Sequence, residues 1–264
     1  MSGLEGGARG SKRGEGHARR IVRAAAVALM VIGVAVFAVP YVTNLVYNMN
    51  TDSQQQRFSE FTGVHDPVAA PDGIASAAEW SPADPDPRLQ ALYELMVDRN
   101  KKLADPKHVN FPDPHSYETD DIDLSDYGLD DGIVGFLEVP TMNDVTLPIV
   151  LGGSEDQLAR GAAHLTGTSY PVGGPSTNAL LAAHRGWTWS SMFRDIEMIQ
   201  VGDPIYIQNF HDDLEYRVVD TRIIMPWETD VAKVQPGRDL VTLITCHPLT
   251  GSTERYVVVA ERVG

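Results

Sequence analysis

The hydrophobic pattern of the chain changes period several times. Ala24 to Val39 (AAAVALMVIGVAVFAV) is an unbroken apolar run, which Pro40, Tyr41 and Val42 extend to residue 42. At about 1.5 Å per helical residue this run reaches roughly 28 Å, against a bilayer hydrocarbon core of about 30 Å. Asn44 to Glu60 is polar with scattered apolar residues and can continue the helix as far as Gly63, and Val64 to Pro87 has the Pro, Ala, Asp and Ser content of a linker. Asp86 and Pro87 then supply an N-cap and a first-turn proline. Leu89, Leu92, Tyr93, Met96 and Leu103 recur at helical spacing, which predicts an amphipathic helix over 87–103. Periodicity is lost from Ala104 to Asp131, where three prolines and many acidic residues predict a long loop. Loops of that length act as lids or binding loops, or are disordered.

From residue 132 onward, short apolar runs alternate with Gly, Pro and Asp. The candidate strands are Gly135–Val139, Thr146–Val150, Ala179–Ala183, Pro204–Gln208, Leu214–Val219, Arg222–Met225, Leu240–Thr245 and Tyr256–Glu261. Two short helices are expected near Glu155–Arg160 and Ser191–Ile199. Eight short strands with two short helices predict a mostly β domain over 132–264, either a barrel or a sandwich.

Charge divides the 264 residues into unlike parts. The formal net charge is −15, but residues 1–23 hold six basic and two acidic residues, and the remainder carries about −19. A basic tail before an apolar run places residues 1–23 in the cytoplasm, 24–42 in the membrane and 43–86 outside as a stalk. A cleaved signal peptide is the competing reading, but Phe37-Ala38-Val39-Pro40-Tyr41 is a poor cleavage site. The acidic balance argues against a nucleic-acid partner.

One cysteine among 264 residues excludes an internal disulfide and any multi-thiolate metal site. No metal or cofactor is expected. Gly-rich phosphate loops, the Gly-x-Ser-x-Gly elbow and His-Glu-x-x-His are missing. Attention therefore falls on Cys246, at the end of the β-branched run Thr242-Leu243-Ile244-Thr245. A strand end presents a side chain to a cleft, although a lone cysteine is also a common core residue. His184 likewise closes an apolar run, Ala179 to Ala183, before the turn Arg185-Gly186. His247 adjoins the cysteine, but neighbours on a strand point to opposite faces. His164 reads as a structural histidine, and His17, His65, His108 and His211 as solvated ones. Arg255 opens the last strand.

Cys246 in Thr-Leu-Ile-Thr-Cys, Arg255 nine residues later and His184 in Ala-His-Arg-Gly some 60 residues upstream resemble the sortases, and several further segments resemble the pilin-polymerising class C branch. These are Gly135-Phe136-Leu137-Glu138-Val139-Pro140, Leu151-Gly152-Gly153-Ser154, and Gly161 to Ser169. The resemblance runs from about Leu89 to Arg262. It implies an eight-stranded sortase β-barrel with short helices, an N-terminal helical extension and a lid loop over 104–131. It also implies a cysteine transpeptidase in which Cys246 attacks the Thr–Gly carbonyl of an LPXTG-like sorting signal and forms a thioester. His184 then serves as acid and base, Arg255 binds substrate or stabilises the oxyanion, and Thr245 helps to position the peptide. The implied partners are pilin subunits that carry the sorting signal and an acceptor lysine. A housekeeping sortase acting on peptidoglycan and a simple cysteine peptidase are the alternatives.

The class C lid carries an Asp-Pro-aromatic motif, matched here by Asp113-Pro114-His115, with His115 in place of the aromatic residue and Tyr117 close by. Members of that branch commonly end in a second hydrophobic segment and basic tail, whereas this sequence stops at Gly264. The implied localisation is the cell membrane, single-pass, with the catalytic domain outside.

Overall fold

The computed structural model describes residues 11–64, 86–105, 120–143, 145–186 and 190–263, with side chains from residue 19 onward. Two compact units result, residues 1–46 and 47–264. The first consists of the N-terminal part of helix α1 (Ser11–Thr62), which carries the 24–42 run. Ile21, Leu29, Met30, Phe37 and other large apolar side chains stand exposed on it. It is the one helix among the described residues long and apolar enough to cross a membrane.

The second unit is built on a closed barrel of eight strands: β1 (Ile133–Val139), β2 (Val145–Leu151), β3 (Ala162–His164), β4 (Thr177–Ala182), β5 (Pro204–Asn209), β6 (Asp213–Ile224), β7 (Asp239–His247) and β8 (Glu254–Arg262). Their order around the barrel is β1-β2-β3-β4-β7-β8-β6-β5, and β1 pairs with β5 to close it, so among the described residues every strand has a neighbour on each side. Helix α2 (Pro87–Leu103) is capped by the Asp86 side chain, which accepts from the Arg88 amide, and it buries Leu89, Leu92 and Met96. The C-terminal part of α1 also packs on the barrel, where the rings of Phe58 and Phe136 meet edge to face at 5.5 Å. Helix α3 (Glu155–Arg160) lies between β2 and β3.

Strands β4 and β7 run parallel, with Thr177 level with Asp239 and Ala182 with Ile244. A parallel pair covered on both faces needs apolar side chains at every position, which explains the unalternating sequences Ala179-Leu180-Leu181 and Leu240-Val241-Thr242-Leu243-Ile244. Alternate residues feed two apolar clusters. Leu181, Val241, Leu243 and Val258 join the main core. Leu180, Ile244, Val257 and Val259 join a second cluster on the other face, with Ile224, Val231 and Leu240. At Gly135 the β1 backbone passes so close to β5 that a Cβ would lie 2.4 Å from the Gln208 carbonyl oxygen, so only glycine fits.

Three local expectations are corrected. Strand β3 is an additional strand whose three residues are too few to show a period; it pairs with β2 in parallel and with β4 in antiparallel fashion. The runs Leu214–Val219 and Arg222–Met225 belong to one strand, β6, because a bulge between Val218 and Asp220 absorbs the break in pattern. The expected helix at Ser191–Ile199 is a series of turns with a short 3-10 turn at Ile196–Met198. There Met192 takes a φ of +41°, which no α-helix accommodates.

Candidate active site

Three adjacent strands, β4, β7 and β8, bring the sequence-selected residues together at one end of the barrel. Cys246 on β7 lies directly opposite Arg255 on β8 in the antiparallel register. The parallel register of β4 with β7, ending at Ala182 and Ile244, continues through a bond from the Ala183 amide to the Ile244 carbonyl at 3.3 Å. Continued one residue past that bond, the same register sets His184 opposite Cys246.

The period of two along each strand then decides the faces. His184 follows Leu180 and Ala182, Cys246 follows Thr242 and Ile244, and Arg255 precedes Val257 and Val259. By that alternation Cys246 and Arg255 fall on the face whose apolar residues, among them Ile244, Val257 and Val259, form the second cluster, and the period continued past β4 sets His184 on the same face. Cys246 and His184 are half-buried. Arg255 donates from Nη1 to the carbonyls of Ser252 and Glu254, both at 2.9 Å, which fixes its guanidinium next to the β7–β8 turn. Burial holds the His184 imidazole below the ordinary histidine pKa, and the negative charge of Glu155 opposes that shift. At neutral pH the ring is thus mainly uncharged.

Thr245 points to the opposite face. It is 3% exposed, and its hydroxyl donates to the Ala183 carbonyl at 2.6 Å, tying β7 to the segment that carries His184. The hydroxyl is committed within the protein. His247 also occupies that opposite face, where its ring approaches Tyr256. Asp113, His115 and Tyr117 lie outside the described residues, as do His65 and His108 and the side chain of His17.

Sequence reasoning overlooked what lies under the site. The Arg185 side chain is only 7% exposed. It donates from Nη1 to the Cys246 carbonyl at 3.3 Å and lies 3.0 Å from His247 Nδ1. Its Nε donates to the Arg194 carbonyl at 3.2 Å and its Nη2 to Glu197 at 2.5 Å. The guanidinium also lies 5.9 Å from the centre of the Tyr256 ring. Glu197 is held below the usual carboxylate range by Arg185, with His247 adding to the effect. The only sequence signal for this contact was alternation: if His184 shares the face of Cys246, Arg185 must share that of His247.

His164 is fully buried, with Nε2 3.0 Å from the Ser169 carbonyl and its ring stacked on Tyr170. Its role is structural. His211 is partly exposed, at 23%, and its ring also stacks on Tyr93 at 3.7 Å, with Nδ1 2.9 Å from the Asp212 carboxylate.

A half-buried cysteine on β7, flanked by the β8 strand that carries Arg255 and by the segment after β4 that carries His184, fits acyl transfer, which needs a nucleophile, a proton carrier and a cationic hydrogen-bond donor. Among the described residues no group of three or more His, Cys, Asp or Glu side chains is placed to hold a metal.

Known proteins agree with this chemistry. A family model described as the sortase domain matches residues 137–263. Sortase A of Bacillus anthracis is 28% identical over 177 residues, covering 67% of this chain and 79% of the relative. Sortase C1 of GBS Pilus Island 1 superposes with a TM-score of 0.64 at 28% identity, covering 81% of this chain and 92% of that one. Sortase C-1 of Actinomyces oris is 33% identical at a TM-score of 0.56, covering 65% of this chain and 99% of that one. The barrel, the coverage and the identities agree: the chain belongs to the sortase family of cysteine transpeptidases, with class C sortases as its structural neighbours.

Proposed function

We propose that the protein is a membrane-anchored, extracytoplasmic pilin-polymerising sortase that acts on an LPXTG-like sorting signal. The observation that carries this reading is the register that sets Cys246 of β7 opposite Arg255 of β8, with His184 just past the end of the neighbouring β4. The pilus-island sortase among its structural neighbours supports a pilin substrate.

In the proposed reaction the Cys246 thiolate adds to the Thr carbonyl of the Thr–Gly bond. Arg255 donates to the oxygen as it gains charge. The C–N bond then breaks, the Gly nitrogen takes a proton from His184 in its imidazolium form, and a thioester remains on Cys246. A pilin lysine amine adds next, its proton passes to the now neutral His184, and the sulfur leaves as thiolate, giving an isopeptide bond. The lowered pKa of His184 suits the second half, since a mainly neutral ring is ready to accept that proton. The helix over 24–42 serves as the anchor and the basic residues before it set its orientation.

Incubation with an LPXTG-type peptide is expected to give a thioester on Cys246 by mass spectrometry, and none in Cys246→Ala. Absence of the thioester in the wild type overturns the reading. Linkage of the product to a peptidoglycan stem amine rather than a pilin lysine replaces the pilin substrate with a housekeeping one. The proposal includes Asp113, His115 and Tyr117 as a lid; faster alkylation of Cys246 in an Asp113→Ala, His115→Ala double variant supports that part, and an unchanged rate removes it.

A further inference from the structure

Arg185 has no part in the reaction just proposed, yet its side chain bonds to groups on two separate segments at this end of the barrel. Four features define it. It occupies the face opposite Cys246, His184 and Arg255. Its guanidinium is almost wholly buried. It grips the carbonyl of Cys246 itself and the ring of the following residue, His247. Its other nitrogens hold the Arg194 carbonyl and the Glu197 carboxylate, on the segment whose Phe193 amide donates to the His184 carbonyl at 3.1 Å.

We propose that Arg185 is a positioning residue, which locks the Cys246–His247 peptide of β7 to the His184 segment and so fixes the thiol and the imidazole at one level. The physical basis is the fork geometry of guanidinium. Its planar array of donors satisfies a carbonyl, an imidazole nitrogen, a second carbonyl and a carboxylate at once, which a lysine ammonium cannot match. Charge adds to geometry, because a buried cation hydrogen-bonded to the Cys246 carbonyl favours the thiolate on the same residue. Glu197 anchors the clamp from outside and compensates the buried charge; its carboxylate also lies 3.0 Å from His247 Nδ1. Gly186 makes room for the arrangement: its φ is +96°, and a Cβ there would stand 2.9 Å from Arg194 Nε.

This inference rests on the transpeptidase reading, and the test separates the two. The full chain in detergent micelles is compared with its Arg185→Ala, Arg185→Lys and Glu197→Ala variants, with folding checked by near-ultraviolet circular dichroism. With an LPXTG-type peptide and an amine, Arg185→Ala is expected to lower kcat by about 10- to 100-fold at unchanged KM, the cost of misplacing reacting groups by about an ångström. Arg185→Lys recovers part of the loss. The rate of Cys246 alkylation by iodoacetamide is also followed against pH. Its midpoint moves to higher pH in Arg185→Ala and stays near the wild-type position in Arg185→Lys, which keeps the charge. Merely structural support would not produce that charge-dependent split.

The proposal is overturned if folded Arg185→Ala keeps kcat within twofold of the wild type, if KM rises in place of the fall in kcat, or if its alkylation profile superimposes on that of the wild type. Should Arg185→Ala not fold, Glu197→Ala tests the clamp from its exposed end: kcat falls at unchanged KM, while loss of the carboxylate beside Arg185 moves the alkylation midpoint to lower pH, and a folded Glu197→Ala with wild-type kcat and profile overturns the proposal. A wild type that forms no thioester defeats the transpeptidase reading alone, since the alkylation profile needs no peptide.

Discussion

Replacing Thr245 by Val tests whether the active site depends on the bond between β7 and the His184 segment. Valine keeps the shape of threonine and removes one donor, the hydroxyl that reaches the Ala183 carbonyl at 2.6 Å in a site only 3% exposed. Leaving a buried acceptor without that partner costs about 1–3 kcal/mol. For a domain of this size each kcal/mol lowers Tm by roughly 2–4 °C, so a fall of about 2–12 °C is expected in a circular dichroism melt of the full chain in detergent. The same loss loosens the level of Ala183 against Thr245, and with it His184 against Cys246. Transpeptidation should therefore lose about tenfold in kcat with little change in KM. Thr245→Ser gives the contrasting result: it keeps the hydroxyl and deletes a methyl group worth about 0.8 kcal/mol, so it lowers Tm slightly and leaves kcat within twofold. If Val and Ser variants behave alike in kcat, or if the Val variant melts within 1 °C of the wild type, the reasoning from the 2.6 Å bond is refuted.

Other outcomes follow from the same geometry. Burial lowers the pKa of both His164 and His184, so these rings are neutral in the native state while the unfolded chain protonates them near the ordinary histidine pKa of about 6.5. The unfolded state then binds more protons, and stability falls as pH drops below about 6.5 toward the native values. His164→Gln should flatten the slope of Tm between pH 7 and 5; an unchanged slope would show that His164 is not the group responsible. Gly135→Ala should destabilise the barrel severely, because the added Cβ meets the Gln208 carbonyl at 2.4 Å, and a soluble, wild-type melt would contradict the close β1–β5 approach.

The strands that carry the site were the most legible part of the chain. In β4 and β7 the lack of alternation reflects burial on both faces; β4 ends at Ala182, one residue before the expected end, and β7 runs two residues past the expected Thr245, so Cys246 lies within the strand near its end. The Asp86-Pro87 start of α2 was readable because capping is local chemistry. What could not be read depends on partners distant in sequence. The three residues of β3 are strand only because β2 and β4 flank them. The backbone reversal at Met192 and the stacking of His211 on Tyr93 are set by tertiary packing that leaves no periodic trace. Arg185 stood in plain view beside His184, yet its contacts depend on Glu197 and on a strand 62 residues away.

That separation has a consequence for when reactivity arises. Cys246 meets Arg255 by a simple hairpin, but it meets His184 and the Arg185 clamp only when β4 pairs with β7, a closure that spans about 60 residues and costs more chain entropy than any neighbouring turn. A chain that has not yet closed its barrel therefore carries Cys246 as an unassisted thiol. Completion of the fold is itself what arms the nucleophile.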